Sequence, residues 1–155
     1  MPLVPSYIKK LASYKPGSRI DDVKRDKGLD RVIKLSSNEN SLGPAPLAIT
    51  AIESAMQKVN RYPDASGLAL RTKLSRKFDV KIENVIIGAG SEGIMSNILR
   101  TFLLGDDEIV ASADSFIGFR VLANATGRLI HWVQMKNNRV DLDGIAEKIN
   151  DYTKI

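Results

Sequence analysis

Residues 84–95 read NVIIGAGSEGIM. Gly88, Gly90 and Gly93 stand in the spacing G-x-G-x-x-G. A short apolar stretch, Val85 to Ile87, precedes them and reads as a strand. The stretch that follows, Ser91 to Leu104, reads as a helix with Met95, Ile98, Leu99 and Phe102 on one face. Strand, glycine loop and helix in that order suit a phosphate. The helix start offers unpaired backbone N–H groups and the positive end of the helix dipole, and glycines let the backbone approach closely. The spacing is also a dinucleotide-binding fingerprint. That reading asks for an acid about 20 residues on, after the next strand, to hold a ribose hydroxyl. Asp114 stands near that place. The local pattern leaves both ligands open.

Downstream the alternation continues. Glu108 to Ser112 reads as a strand and Gly118 to Thr126 as a helix. Leu129 to Met135 reads as a strand and Asp143 to Asn150 as a helix, with Ile145 and Ile149 turned inward. DYTKI, at the end, stands where a further strand is due. This is an α/β pattern with a largely parallel sheet. Upstream, Val32 to Leu35 reads as a short strand running into a polar loop. Pro46 to Val59 reads as a helix, and so does Gly67 to Phe78, the latter with Leu70, Leu74 and Phe78 as its apolar stripe. Arg71, Lys73, Arg76 and Lys77 read as its solvated face. Residues 1 to about 34 read as an arm. His131, the single histidine, reads as a strand residue and Trp132 as packing.

The chain has 155 residues, a net charge of +5 and no cysteine, which removes disulfides and thiolate metal sites from consideration. Its basic residues are spread out, without the aromatic interleaving of a nucleic-acid groove. No apolar run approaches the roughly 20 residues that span a bilayer. MPLVPSYIKK lacks the apolar core of a signal peptide. A cytoplasmic protein without nucleic-acid, membrane or metal partners is expected.

The stretches YKPGS (14–18), IKLSSNENSLGP (33–44), NRYPDASGLALRTKLSRKF (60–78), NVIIGAGSEGIM (84–95) and DSFIGF (114–119) occur in an order that resembles the histidinol-phosphate aminotransferases. The resemblance covers nearly the whole chain, which looks like the N-terminal part of such an enzyme and less than half of it. It implies an incomplete large domain of the fold-type I class that uses pyridoxal 5'-phosphate (PLP), a mainly parallel sheet flanked by helices. Residues 1–44 would be an N-terminal arm and small-domain segment, and residues 45–155 the first part of the cofactor-binding domain.

By that resemblance the loop at Gly90 is a PLP phosphate cradle, with the N–H groups of Ser91 and Glu92 as donors. Glu92-Gly93 stands where relatives commonly carry two acids. Phe116 falls where the family places a ring, often tyrosine, against the pyridine face; its apolar face can stack. Tyr62 would reach the cofactor phosphate of the other subunit of a homodimer. Tyr14 and Asn38 would lie near the substrate. The family's reaction moves an amino group between histidinol phosphate and 2-oxoglutarate, with glutamate as the other amino acid, in histidine biosynthesis. Its Schiff-base lysine, the acid at the pyridine nitrogen and the substrate-carboxylate arginine correspond to sequence beyond Ile155. No catalytic residue is therefore assigned here, and the chain is expected to be inactive alone. With interior strands missing, unpaired edges and uncovered apolar faces make it aggregation-prone, and the chain alone is not expected to form the full native sheet in solution. Two alternatives stand beside this reading. One is a dinucleotide-binding oxidoreductase module built on Gly88, Gly90, Gly93 and Asp114. The other is a non-catalytic truncated gene product.

Overall fold

The computed structural model describes residues 3–12 and 17–155. The chain divides into two units. One combines residues 67–155 with the described residues of 1–12; the other takes the described residues of 13–66.

In the larger unit, β1 (Ile109–Ser112) and β2 (Ile130–Val133) pair in parallel, with Ile109 opposite Ile130 and Ser112 opposite Val133. Helix α6 (Ile117–Ala125) makes the crossover that parallel neighbours require. The other edge of β1 is also filled. Glu108 N–H donates to Tyr152 O at 2.8 Å, Val110 N–H to Ile155 O at 2.8 Å, and Lys154 N–H to Glu108 O at 3.0 Å. Residues 152–155 thus lie beside β1 in the place where the alternation calls for a strand, delivered by α7 (Leu142–Lys148). Asp141 caps α7 by accepting from Gly144 N–H at 3.1 Å.

Ile109 is fully buried, and packs with Leu99, Leu103, Ala111 and Ala123. Phe119, Leu122, Ile130, Trp132 and Ile155 close around them. Leu99 lies on α5 (Gly90–Phe102), so the core joins the glycine-loop helix to the sheet. The Arg120 guanidinium lies 4.7 Å from the Trp132 ring centroid and donates to Ala113 O at 2.7 Å. That cation–π contact and hydrogen bond tie α6 to the end of β1. A short helix, α1 (Ser6–Lys9), brings Tyr7 onto Gly127, where a β-carbon would lie 2.7 Å from the ring.

Two expected strands are not formed. Val85 to Ile87 is extended, but no strand pairs with it among the described residues, and Ile86 is 76% exposed. Val32 to Leu35 is likewise unpaired. A strand is made by its ladder, and apolar residues without a neighbour chain do not supply one. The helix stripes are partly bare. On α4 (Leu68–Phe78), Leu70 and Phe78 are exposed, whereas Arg71, Thr72, Leu74 and Ser75 form the half-buried side. Ile98 and Phe102 of α5, and Ile149 just past α7, are exposed too. The apolar exposure expected of this chain is present throughout.

The smaller unit contains α2 (Ile20–Lys27), stopped by Gly28 at φ +62°, and α3 (Pro46–Ala55), which runs into a single 3-10 turn at Met56–Lys58. Neither α1 nor α2 is evident in a stretch read as an arm. Both are short, and α2 is strongly polar.

A polar clamp fixes the 152–155 segment. Glu108 Oε2 lies 2.7 Å from His131 Nε2 and accepts from Asn150 Nδ2 at 2.8 Å. Asn150 Oδ1 in turn accepts from Tyr152 N–H at 2.8 Å. The Asn150 amide, and then the His131 ring, hold the Glu108 carboxyl below its ordinary value of 4.5. A depressed carboxylate stabilises the fold above its unfolded value and loses that contribution as pH falls through the folded value. The denaturation midpoint is therefore expected to fall as pH drops below 4.5. Glu108→Gln should flatten that dependence, and equal slopes in the two proteins would refute the clamp.

Candidate phosphate site

The glycine loop opens α5. Gly90 has φ +68°, a left-handed conformation that glycine adopts without a side-chain penalty. A β-carbon at Gly90 would meet nothing within 4 Å, so the space before the helix is open. Gly90 N–H donates back to Gly88 O at 2.9 Å, and Gly93 N–H to Ala89 O at 3.4 Å. Between them, the N–H groups of Ser91 and Glu92 have no protein acceptor among the described residues. Ala89 has no side chain that could cap them. Both residues are exposed. The result is two adjacent amide donors at the positive end of a 13-residue helix, facing open space. That geometry fits a phosphate.

Phe116 is the N-cap residue of α6, and α6 packs against α5. The residue is 59% exposed, so it is not a core aromatic. A β-carbon at Gly118 would meet Phe116 Cε1 at 2.5 Å; glycine there lets the ring lie over the first turn. Phe119, not Phe116, is the aromatic of this stretch that joins the core. Ser91, Glu92 and Phe116 thus all stand at helix starts within one unit, each exposed.

The remaining candidates lie elsewhere. Asn38 belongs to the smaller unit, at φ +53° and beside Ser37 at φ +67°. Its side chain makes no hydrogen bond among the described residues; the turn is closed instead by Asn40, which accepts from Leu42 N–H at 3.0 Å. Lys34 and Glu39 form an ion pair across that loop. Tyr62, in the same unit, is fully exposed. Tyr14 lies outside the described residues. Among the described residues no three histidine or acidic side chains gather as a metal site, and no helix is long and apolar enough to cross a membrane.

The strand order decides between phosphate ligands. In a dinucleotide-binding unit the strand entering the glycine loop lies beside the strand that carries the ribose-binding acid. Asp114 follows β1, and both edges of β1 are taken, by β2 and by residues 152–155. Val85 to Ile87 is not its neighbour, and the dinucleotide arrangement is not formed.

One residue that sequence reasoning missed is Arg71. Read as solvated, it is half-buried, with Nε donating to Val85 O and Nη2 to Ile82 O, both at 2.9 Å. Its place one position off the Leu70–Leu74 stripe gave no local signal.

No family model matches the chain. It is 40% identical over 156 residues to a histidinol-phosphate aminotransferase of Anaeromyxobacter sp. (strain Fw109-5), covering 100% of the chain and 43% of that protein. Histidinol-phosphate aminotransferase 2 of Nitrosospira multiformis is 33% identical, over 99% of the chain and 40% of the relative. The chain therefore spans about two-fifths of the length of the curated relatives it matches. Among solved structures, histidinol-phosphate aminotransferase from Sinorhizobium meliloti, a complex with pyridoxal-5'-phosphate, has a TM-score of 0.77 at 23% identity. That likeness covers 94% of this chain and 38% of the other. An aspartate aminotransferase from Thermotoga maritima has a TM-score of 0.69 at 18% identity, over 97% of this chain and 44% of the other. In sequence the chain is thus similar, over its whole length, to the N-terminal part of histidinol-phosphate aminotransferases, and in structure it is part of a fold-type I aminotransferase fold.

Proposed function

We propose that this chain supplies the cofactor-phosphate cradle of a PLP-dependent aminotransferase that acts on histidinol phosphate and 2-oxoglutarate in the cytoplasm. The observation that carries the reading is the pair of unpaired amides at Ser91 and Glu92, set behind Gly90 and facing open space. A phosphate held there accepts two charge-assisted hydrogen bonds and gains the favourable end of the α5 dipole. Glu92 takes part through its backbone, so its carboxylate is not a donor to the phosphate. Phe116 offers an exposed ring face at the start of the neighbouring helix, suited to stacking on a flat heteroaromatic ring. When bound, PLP supplies the electron sink for amino-group transfer. This chain's part is to bind and orient it; the Schiff-base lysine that the reaction requires is assigned to no residue here.

Tyr62, fully exposed beside Pro63, is proposed to reach the cofactor phosphate of a second subunit. Asn38, whose amide makes no hydrogen bond among the described residues and which sits on a left-handed turn, is proposed to face the substrate, with Tyr14 from the arm. Residues 1–44 are proposed as arm and small-domain segment, and residues 45–155 as the beginning of the large domain.

Titration of the 155-residue chain with PLP, followed by absorbance and fluorescence, tests the reading. Saturable binding is expected, weakened about tenfold by Phe116→Ala, which corresponds to a loss of roughly 1.4 kcal/mol. Binding of NAD with no binding of PLP would refute it.

A further inference from the structure

Among the described residues, no sheet holds the segment that leads into the glycine loop. Residues 85–87 have no partner strand among the described residues, yet the Gly88–Gly90 turn that aims the Ser91 and Glu92 amides follows at once. Helix α4 grips this segment at three points. Arg71 Nη2 donates to Ile82 O and Arg71 Nε to Val85 O, each at 2.9 Å. Two positions further on, the Ile87 side chain lies over Gly67, the N-cap of α4, where a β-carbon would overlap Ile87 Cδ1. Beyond Ile87 the loop is braced on α5, since a β-carbon at Gly88 would meet Ile94 Cδ1 at 2.9 Å.

Arg71 is half-buried and pairs with no carboxylate among the described residues. Its fork goes to two backbone carbonyls: Val85 O, and Ile82 O, which also accepts from Val85 N–H at 3.1 Å. Two donors in one plane can hold two carbonyls in a fixed relation; a lysine ammonium, a single point charge on a flexible stem, cannot.

We propose that Arg71 is a positioning residue for the phosphate cradle: it fixes the segment 82–87 against α4 and so sets the aim of the Ser91 and Glu92 amides. The inference rests on the reading of that loop as a phosphate site.

Amide hydrogen exchange on the full 155-residue chain tests it, with Arg71→Ala, Arg71→Lys and titrations of PLP and of pyridoxal, which lacks the phosphate. In Arg71→Ala, the Gly90 and Gly93 amides should exchange about tenfold faster, while those of Ile109 and Ala113 stay within about twofold. PLP affinity should fall about tenfold and pyridoxal affinity should not change. Arg71→Lys should lie between the two proteins. Unchanged exchange at Gly90 and Gly93 would overturn the inference. So would equal acceleration at Ile109 and Ala113 in both variants, because Arg71 would then hold the whole unit rather than the loop. A wild-type chain that binds PLP no better than pyridoxal would sink the phosphate reading instead, and the exchange data would still decide what Arg71 does.

Discussion

Gly90→Val is expected to weaken PLP binding by about 100-fold or more, while leaving pyridoxal binding nearly unchanged. Two costs combine. Gly90 sits at φ +68°, where a β-branched residue is strained by roughly 1–2 kcal/mol. Relief of that strain turns the backbone and moves the Ser91 and Glu92 amides off their shared target. Each hydrogen bond to a charged phosphate is worth about 1.5–3 kcal/mol, so losing the pair alone reaches the 100-fold range. The valine branches would also enter the open space before the helix, where the phosphate is proposed to sit. Gly90→Ala shares the strain but adds little bulk, and should fall between valine and the wild type. Calorimetric titration with PLP and pyridoxal reads all of these. Wild-type PLP affinity in Gly90→Val would show that the loop does not hold the phosphate.

Ile109→Ala is expected to unfold the larger unit. Ile109 is 0% exposed and packs at the centre of the buried cluster between α5, α6 and the sheet. Truncating a buried isoleucine costs about 2–5 kcal/mol, of the order of a small domain's whole stability. Among the described residues the buried apolar set is small: besides Ile109 only Leu99, Leu103, Ala111, Ala113, Ala123 and Val133. A thermal melt by circular dichroism should lose its cooperative step in Ile109→Ala and keep it, at a lower midpoint, in Ile109→Val. The same truncation at exposed Leu104 should change little. A cooperative Ile109→Ala melt near the wild-type midpoint would mean that the core lies elsewhere.

The sequence was most legible where structure is local. Glycine, asparagine and aspartate punctuation, with apolar periodicity, located α3 to α7 and both paired strands, because caps and stripes are written within a few residues. The unpaired amides of Ser91 and Glu92 were legible for the same reason, since a helix start needs no distant partner. Three things were not. Arg71 faces inward because a segment 11 to 14 residues away presents two backbone carbonyls to it, which no helical pattern records. His131 and Glu108 meet only through the register that sets Ile109 opposite Ile130. The stripes on α4 and α5 were seen as apolar, but apolar spacing marks a face without saying what lies on it.

Both edges of β1 are filled from downstream. β2 reaches one edge through α6, and residues 152–155 reach the other through α7. For a chain made from its N-terminus, this sets a timetable. When Ser112 leaves the ribosome, the glycine-loop helix is already made, but the sheet cannot begin until Val133 has emerged. The second edge waits for Ile155. Throughout that interval the most apolar strand of the unit is synthesised but unpaired, which is the state that chaperones hold and that neighbouring nascent chains exploit.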